Sequence, residues 1–232
     1  MSHLHIPDGL LPVWLWLSGL VVALALVMFS LFMVRRMELR KKVPLIGMMS
    51  AMMLVGMNLE IIPIAYHVNL SVITAIILGP WLMVVTALIV NLLMAMVGHG
   101  GITVVGLNTI VIGAEGMLGY LLFSILKRLL KPGPAAAVST VLALALSTCL
   151  MLFIVFVANV NLNVEAAHGL REILDAPTVN TFFDVFSVNK DFDFRLFAYA
   201  ALGLGTLGWS IEAFVTAAAI KFITRVKPDM IA

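Results

Sequence analysis

Long runs of uncharged apolar residues recur along the chain and constrain its fold more than any other feature. The first run, residues 13–34, has no charged side chain and is long enough to cross a hydrocarbon core of about 30 Å as a helix. Because such runs continue to the C-terminus, neither a signal peptide nor a single anchor explains them. The chain is 62% hydrophobic and 11% charged, against about 25% charged in soluble domains. The pattern excludes a water-soluble protein and predicts one all-α integral membrane domain over residues 1–232.

Six apolar segments predict the membrane helices: 13–34, 43–62, 64–97, 102–126, 134–160 and 196–223. The third is too long for one helix, and Gly79-Pro80 lies near its middle, where proline removes a helical hydrogen bond. Splitting it there predicts a polytopic bundle of about seven transmembrane helices, of which the third and fourth are short. A hairpin that dips partway into the bilayer is an alternative for this pair.

The placement of basic residues predicts the sidedness of the bundle. Lys and Arg cluster at 35–42, 127–131 and 221–227, and such clusters favour the cytoplasmic face. Only two passes within 64–97 put all three clusters inside. The N-terminus, the turns at 63–69 and 98–101, and the extracytoplasmic loop 161–195 then face outward, together with all five histidines. That loop is either a solvated connection or a docking surface.

The N-terminal segment 1–12 combines several nitrogen ligands at the predicted outer surface. Removal of Met1 before a small residue would free the amine of Ser2 beside the amide and imidazole of His3. Three such nitrogens chelate an ion in one plane, as copper(II) and nickel(II) accept. The turn that includes Asp8 and Gly9 would fold the segment back onto the bundle. The sequence thus predicts an outward metal-binding segment, with a processed tail as the alternative.

Further histidines lie on the same predicted side of the membrane. His5 belongs to the N-terminal segment, His67 precedes the third helix, and His99 lies in a glycine-rich turn after the fourth. Imidazole is the commonest ligand for nickel, cobalt, copper and zinc. We therefore predict a metal site formed by Ser2, His3, His5 and His67, with His99 as a weaker candidate.

Three carboxylates, Glu60, Glu115 and Glu212, lie within apolar runs, where a charge is costly unless it faces protein or water. They form either interhelical hydrogen bonds or a path for protons or ions. The sequence has no phosphate-binding loop and no zinc-protease motif, so we predict a non-catalytic protein and place any ATP hydrolysis on a partner. The small net charge of +2 gives no indication of nucleic acid.

Four motifs distributed along the chain resemble the CbiM/NikM family. They are the His5-Ile6-Pro7-Asp8-Gly9 opening, Leu78-Gly79-Pro80-Trp81, the turn at 98–103 with Gly106 and Asn108 after it, and the segment 211–217 around Glu212. Members are substrate-binding membrane components of energy-coupling factor (ECF) transporters for nickel and cobalt. The resemblance implies seven helices in the cytoplasmic (inner) membrane, with the N-terminus inserted toward the bundle centre. It also implies a transmembrane coupling subunit, two ATPase subunits and a small auxiliary membrane subunit as partners.

In that family the N-terminal amine, the opening histidine with its amide, and a histidine at the third span bind the ion. The resemblance assigns these imidazole roles to His5 and His67. Here Met1, Ser2, His3 and Leu4 precede His5, so the chelate either moves to Ser2 and His3 or leaves His5 to bind through its ring alone. Asp8, Gly9, Asn108 and Glu212 carry structural or coupling roles, and His99 replaces the usual aspartate.

We therefore expect a nickel or cobalt uptake component, and planar nitrogen coordination favours nickel. Two other functions stay open. One is a proton-coupled transporter or channel for a divalent cation that uses the carboxylates. The other is a membrane assembly or sensor protein that binds a partner through its outer loop.

Overall fold

The computed structural model describes residues 11–34, 36–58, 67–97, 101–162, 194–227 and 230–231, with only the backbone at 36–39, 41, 158–162, 194–197 and 200. Seven α-helices make up this part of the chain. They are α1 (Val13–Met33), α2 (Arg36–Asn58), α3 (Ser71–Leu78), α4 (Pro80–Met96), α5 (Val105–Leu126), α6 (Pro132–Leu162) and α7 (Phe194–Val226). Ser2, His3, His5, Asp8, Gly9, Glu60, His99 and most of the 161–195 loop lie outside the described residues.

Four helices are long and apolar enough to cross a membrane: α1, α5, most of α6 and most of α7. This confirms the predicted all-helical membrane bundle. One difference concerns α2, which begins at Arg36, seven residues before the predicted start at 43. Residues 36–42 are mostly Lys, Arg, Met, Glu and Leu, which are good helix formers. Hydropathy finds only the apolar part of a helix and therefore missed this polar extension.

The predicted break at Gly79-Pro80 separates α3 from α4. Gly79 adopts a φ of 93°, which glycine tolerates well, and Pro80 starts α4, where its missing N–H removes no helical bond. With 8 residues, α3 is only about 12 Å long and cannot cross the bilayer as a helix. All eight of its residues are buried in the bundle. The predicted third span is thus a short internal helix that follows a non-helical segment, residues 67–70.

Two side-chain contacts orient the neighbouring helices. Lys42 Nζ in α2 donates a hydrogen bond of 2.9 Å to the Leu78 carbonyl at the C-terminus of α3, where a cation is electrostatically favoured. Asn58 Nδ2, at the other end of α2, lies 3.2 Å from Met94 Sδ near the end of α4. Hence α2 and α4 run parallel and α3 runs against both. The Gly79-Pro80 turn lies at the same end of the bundle as the 35–42 basic cluster.

Glycines bring the backbones of α1 and α5 together. A Cβ on Gly106 of α5 would lie 2.4 Å from Leu20 Cα of α1, and one on Gly19 would lie 2.4 Å from Leu107 Cγ. Membrane helices associate closely through such small residues. Leu11, just before α1, is buried against Val104 and Leu107 at the start of α5. The chain therefore enters α1 beside the beginning of α5.

Three methionines of α2 pack into the core. Met49, Met53 and Met57 recur every four residues on one helix face and are at most 1% exposed. Met48 and Met52, on the opposite face, are about half exposed. This distribution is typical of a packed helix in contact with lipid on its outer side, and it supports packing as the role of the buried residues.

Candidate metal site

His67 is the predicted ligand that the structure describes. It begins the non-helical segment 67–70, which we call the ligand segment, and it is partly buried, with its Nδ1 atom fully inside the protein. Val68 and Asn69 after it are 7% and 0% exposed. The ligand segment therefore lies within the bundle, and His67 is less buried than the two residues after it.

The described residues next to the segments with the other predicted ligands lie at the same end of the bundle as His67. The backbone of Val68 lies against Gly56, near the C-terminus of α2, and that terminus contacts the end of α4. His99 lies between α4 and α5 in the sequence, outside the described residues, and Leu11 packs at the start of α5. Among the described residues no three or more His, Cys, Asp or Glu side chains form a metal cluster. Of the predicted ligands, only His67 falls within that search.

Glu212 of α7 holds the backbone of the ligand segment. The N–H of Asn69 donates to Glu212 Oε2 at 3.2 Å, and the N–H of Leu70 donates to Glu212 Oε1 at 3.0 Å. Irregular backbone at membrane depth is tolerated only where protein or water satisfies its polar groups. Glu212 is fully buried and satisfies two such N–H groups at the start of α3. It takes the place of a capping side chain, because Leu70 at the N-cap position provides none.

Glu115 of α5 holds the side chains of the same region. Asn69 Nδ2 donates to Glu115 Oε1 at 2.7 Å, and the Ser71 hydroxyl donates to the same oxygen. All three side chains are fully buried. The second amide atom, Asn69 Oδ1, is also buried and accepts no hydrogen bond. Two carboxylates from distant parts of the sequence therefore bind one stretch of chain, as the interhelical hydrogen-bonding interpretation predicted.

The ligand segment ends in a strained residue. Leu70 has φ 58° and ψ 20°, a left-handed conformation that costs a non-glycine residue roughly 1–2 kcal/mol. Its carbonyl accepts hydrogen bonds from the N–H and the hydroxyl of Thr74, at 3.1 and 2.8 Å, so α3 begins firmly at this point. The bonds to Glu212 and Thr74 on either side of Leu70 offset the strain. They also fix the direction in which the chain from His67 enters α3.

Asn108, the other described residue of the predicted set, lies in α5 and is 3% exposed. Nearby, Asn91 of α4 donates to the Ala87 carbonyl of its own helix at 2.9 Å and approaches Thr109 of α5 at 3.5 Å. Sequence reasoning did not single out Asn69 or Ser71. The available signal was two hydrogen-bonding residues directly before an apolar run, a pattern typical of a helix start.

The fold and the buried polar segment define a multi-pass helical membrane protein. Residues 5–230 match the model of the CbiM family, described as the cobalt uptake substrate-specific transmembrane region. The chain belongs to this family of transmembrane uptake components. No curated protein sequence matches it significantly.

Two solved structures share the fold. One, described as a truncated transition metal transporter, superposes with a TM-score of 0.72 at 17% identity, covering 96% of this chain and 99% of the other. The second, described as a transition metal transporter, gives a TM-score of 0.73 at 18% identity, covering 96% of this chain and 93% of the other. Both comparisons support the same helical architecture from end to end.

Proposed function

We propose that the chain is the substrate-binding component of an ATP-driven ECF-type transporter that takes up nickel or cobalt ions. The observation that carries this proposal is the constrained position of His67. A histidine in a family of metal uptake proteins begins a buried, non-helical segment held by two carboxylates. The described residues next to the other candidate ligands lie at the same end of the bundle. Such an arrangement is expected of a site whose imidazole must be in place before the ion arrives.

The proposed ligands are nitrogen donors. The amine of Ser2, the amide and ring of His3 or the ring of His5, and the ring of His67 would surround one ion, with His99 as a further ligand. Amine and amide nitrogens favour square-planar coordination, which suits nickel(II). Cobalt(II) also accepts imidazole, and it is the ion in the description of the family.

Energy for transport would come from other subunits. The sequence has no phosphate-binding loop of the Gly-x-x-x-x-Gly-Lys-Ser/Thr type, so ATP hydrolysis would need a separate subunit. The resemblance to the family implies two ATPase subunits and a transmembrane coupling subunit, which are the proposed partners. A small auxiliary membrane subunit would complete the complex in the cytoplasmic membrane. Hydrolysis by these partners would reorient the present chain and release the ion inward.

The test is the metal content of the purified full-length protein, with the N-terminal residue read by mass spectrometry. Wild type should hold one nickel or cobalt ion per chain, and His67→Ala should lose it. Either His3→Ala or His5→Ala should lose it as well, which identifies the N-terminal ligand. His168→Ala is the matched control and should retain the ion. Absence of metal from wild type after incubation with either ion would refute the proposal.

A further inference from the structure

The polar network around the ligand segment has a role that packing alone does not require. We propose that Glu212 and Glu115 are positioning residues for His67, with Asn69 as the link, and that they set the affinity for the metal. This role rests on the metal capture proposed above. Neither carboxylate touches the ion in this scheme. They act by holding the backbone that carries the imidazole.

The backbone geometry shows why His67 depends on Glu212. Asn69 and Leu70 are the second and third residues after His67, and both donate their N–H groups to this one carboxylate. Unsatisfied N–H groups inside a membrane protein cost several kcal/mol, so the segment cannot leave Glu212 without another acceptor. The bonds to Glu212 therefore hold the chain against α7 only two residues after His67.

The competing conformation is a continuation of α3 toward its N-terminus. Winding residues 67–70 into the helix would relieve the left-handed conformation of Leu70, but their N–H groups would become the first four of the helix and would have no acceptor within it. Because a helical residue advances 1.5 Å and an extended one about 3.3 Å, this change would draw His67 inward by up to roughly 7 Å. Metal sites tolerate ligand displacements of about 0.2 Å. The network thus favours the one conformation in which the imidazole can bind the ion.

The two carboxylates bind different groups, so their substitutions remove different hydrogen bonds. Each oxygen of Glu212 accepts a backbone N–H, so Glu212→Gln would place an amide NH₂ against one of these donors. Asn69 and Ser71 donate through their side chains to Glu115 Oε1, so Glu115→Leu removes the acceptor of both of these bonds.

Two buried asparagines allow an effect on metal affinity to be distinguished from a general loss of stability. Asn69 and Asn91 are both buried, and each donates through Nδ2 and has a buried Oδ1 without a hydrogen bond. Only Asn69 bonds a carboxylate beside the ligand segment, whereas Asn91 bonds the carbonyl of Ala87 in its own helix. Truncation of either residue removes the same atoms from the core. A difference in metal affinity between Asn69→Ala and Asn91→Ala therefore reports on the network.

The experiment is a Ni²⁺ titration of the full chain in detergent that yields both Kd and stoichiometry. Glu212→Gln, Asn69→Ala and Glu115→Leu should raise Kd about 10- to 100-fold, the usual effect of removing an outer-shell partner, at unchanged stoichiometry. Asn91→Ala should stay within about threefold of wild type by the same comparison. Three variants of the network keep the result decisive if one of them does not fold.

The outcomes are distinguishable from those of the proposed function. Normal Kd in the three network variants, together with loss of metal in His67→Ala, would overturn positioning and leave metal capture intact. A reduced stoichiometry at wild-type Kd would also overturn it, because that result shows partial unfolding of a protein whose folded fraction binds normally. A wild-type chain that binds no metal would refute metal capture itself, and positioning of His67 for an ion with it.

Discussion

Gly56 provides a test of the constraint on His67 that changes no charge and no hydrogen-bonding side chain. It lies in α2, and a Cβ at this position would lie 2.6 Å from the carbonyl oxygen of Val68, the residue after His67. Ordinary van der Waals contact begins at 3.4 Å, so Gly56→Ala requires the oxygen or the helix to retreat by about 0.8 Å. The oxygen belongs to the backbone of the ligand segment, which Glu212 anchors one residue later. Rearrangement there displaces His67.

The expected magnitude follows from two opposing effects. Overpacking costs about 1–3 kcal/mol, whereas replacing glycine by alanine inside a helix contributes about 1 kcal/mol of stability. Gly56→Ala should therefore change the free energy of unfolding by only about 0–2 kcal/mol. The displacement of about 0.8 Å exceeds the tolerance of a metal–nitrogen bond several-fold, so Kd for Ni²⁺ should rise at least about tenfold.

Gly47 is the matched control, since it lies in the same helix and a Cβ there would meet nothing within 4 Å. Gly47→Ala should raise the thermal midpoint slightly and leave Kd unchanged. Both variants are measured by Ni²⁺ titration and by thermal unfolding in the same detergent. Wild-type Kd in Gly56→Ala would refute the reasoning, because it would show that the backbone at Val68 can move without moving the ligand.

Three further predictions concern the bundle and the ion. Gly106→Ala should lower the free energy of unfolding by about 1–3 kcal/mol, because its Cβ would meet the backbone of α1 at 2.4 Å. Gly113→Ala is the control and should be neutral in thermal unfolding, since the nearest atom to its Cβ is 3.6 Å away. Lys42→Met should destabilise the chain by about 1–3 kcal/mol, since it removes the donor to the Leu78 carbonyl. Lys131 is exposed, and Lys131→Met should have no effect in the same denaturation assay. Metal affinity should fall as the pH drops from 7.5 to 5, because a protonated imidazole cannot bind an ion, and affinity that is constant over this range in a titration series would exclude histidine ligands.

Several features of the fold follow from the sequence because their causes are local. An uncharged run such as 13–34 must form a helix in lipid, where only internal hydrogen bonds satisfy the backbone. Pro80 cannot continue a helix from Leu78, so the break between α3 and α4 was predictable as well. The cost of a carboxylate in an apolar run predicted that Glu115 and Glu212 face the interior. His67 was predicted as a metal ligand from its imidazole side chain.

Only the tertiary structure decided what those carboxylates hold. Residues 67–70 belong to the apolar run 64–97, in which the charge pattern predicted a turn over 63–69 but not what holds it. Glu212, more than 140 residues later in the chain, accepts the backbone N–H groups of Asn69 and Leu70 and stabilises this non-helical conformation. In lipid a backbone donor must find an acceptor, and whether that acceptor is its own helix or a distant side chain depends on which helices pack together. No local pattern contains that information.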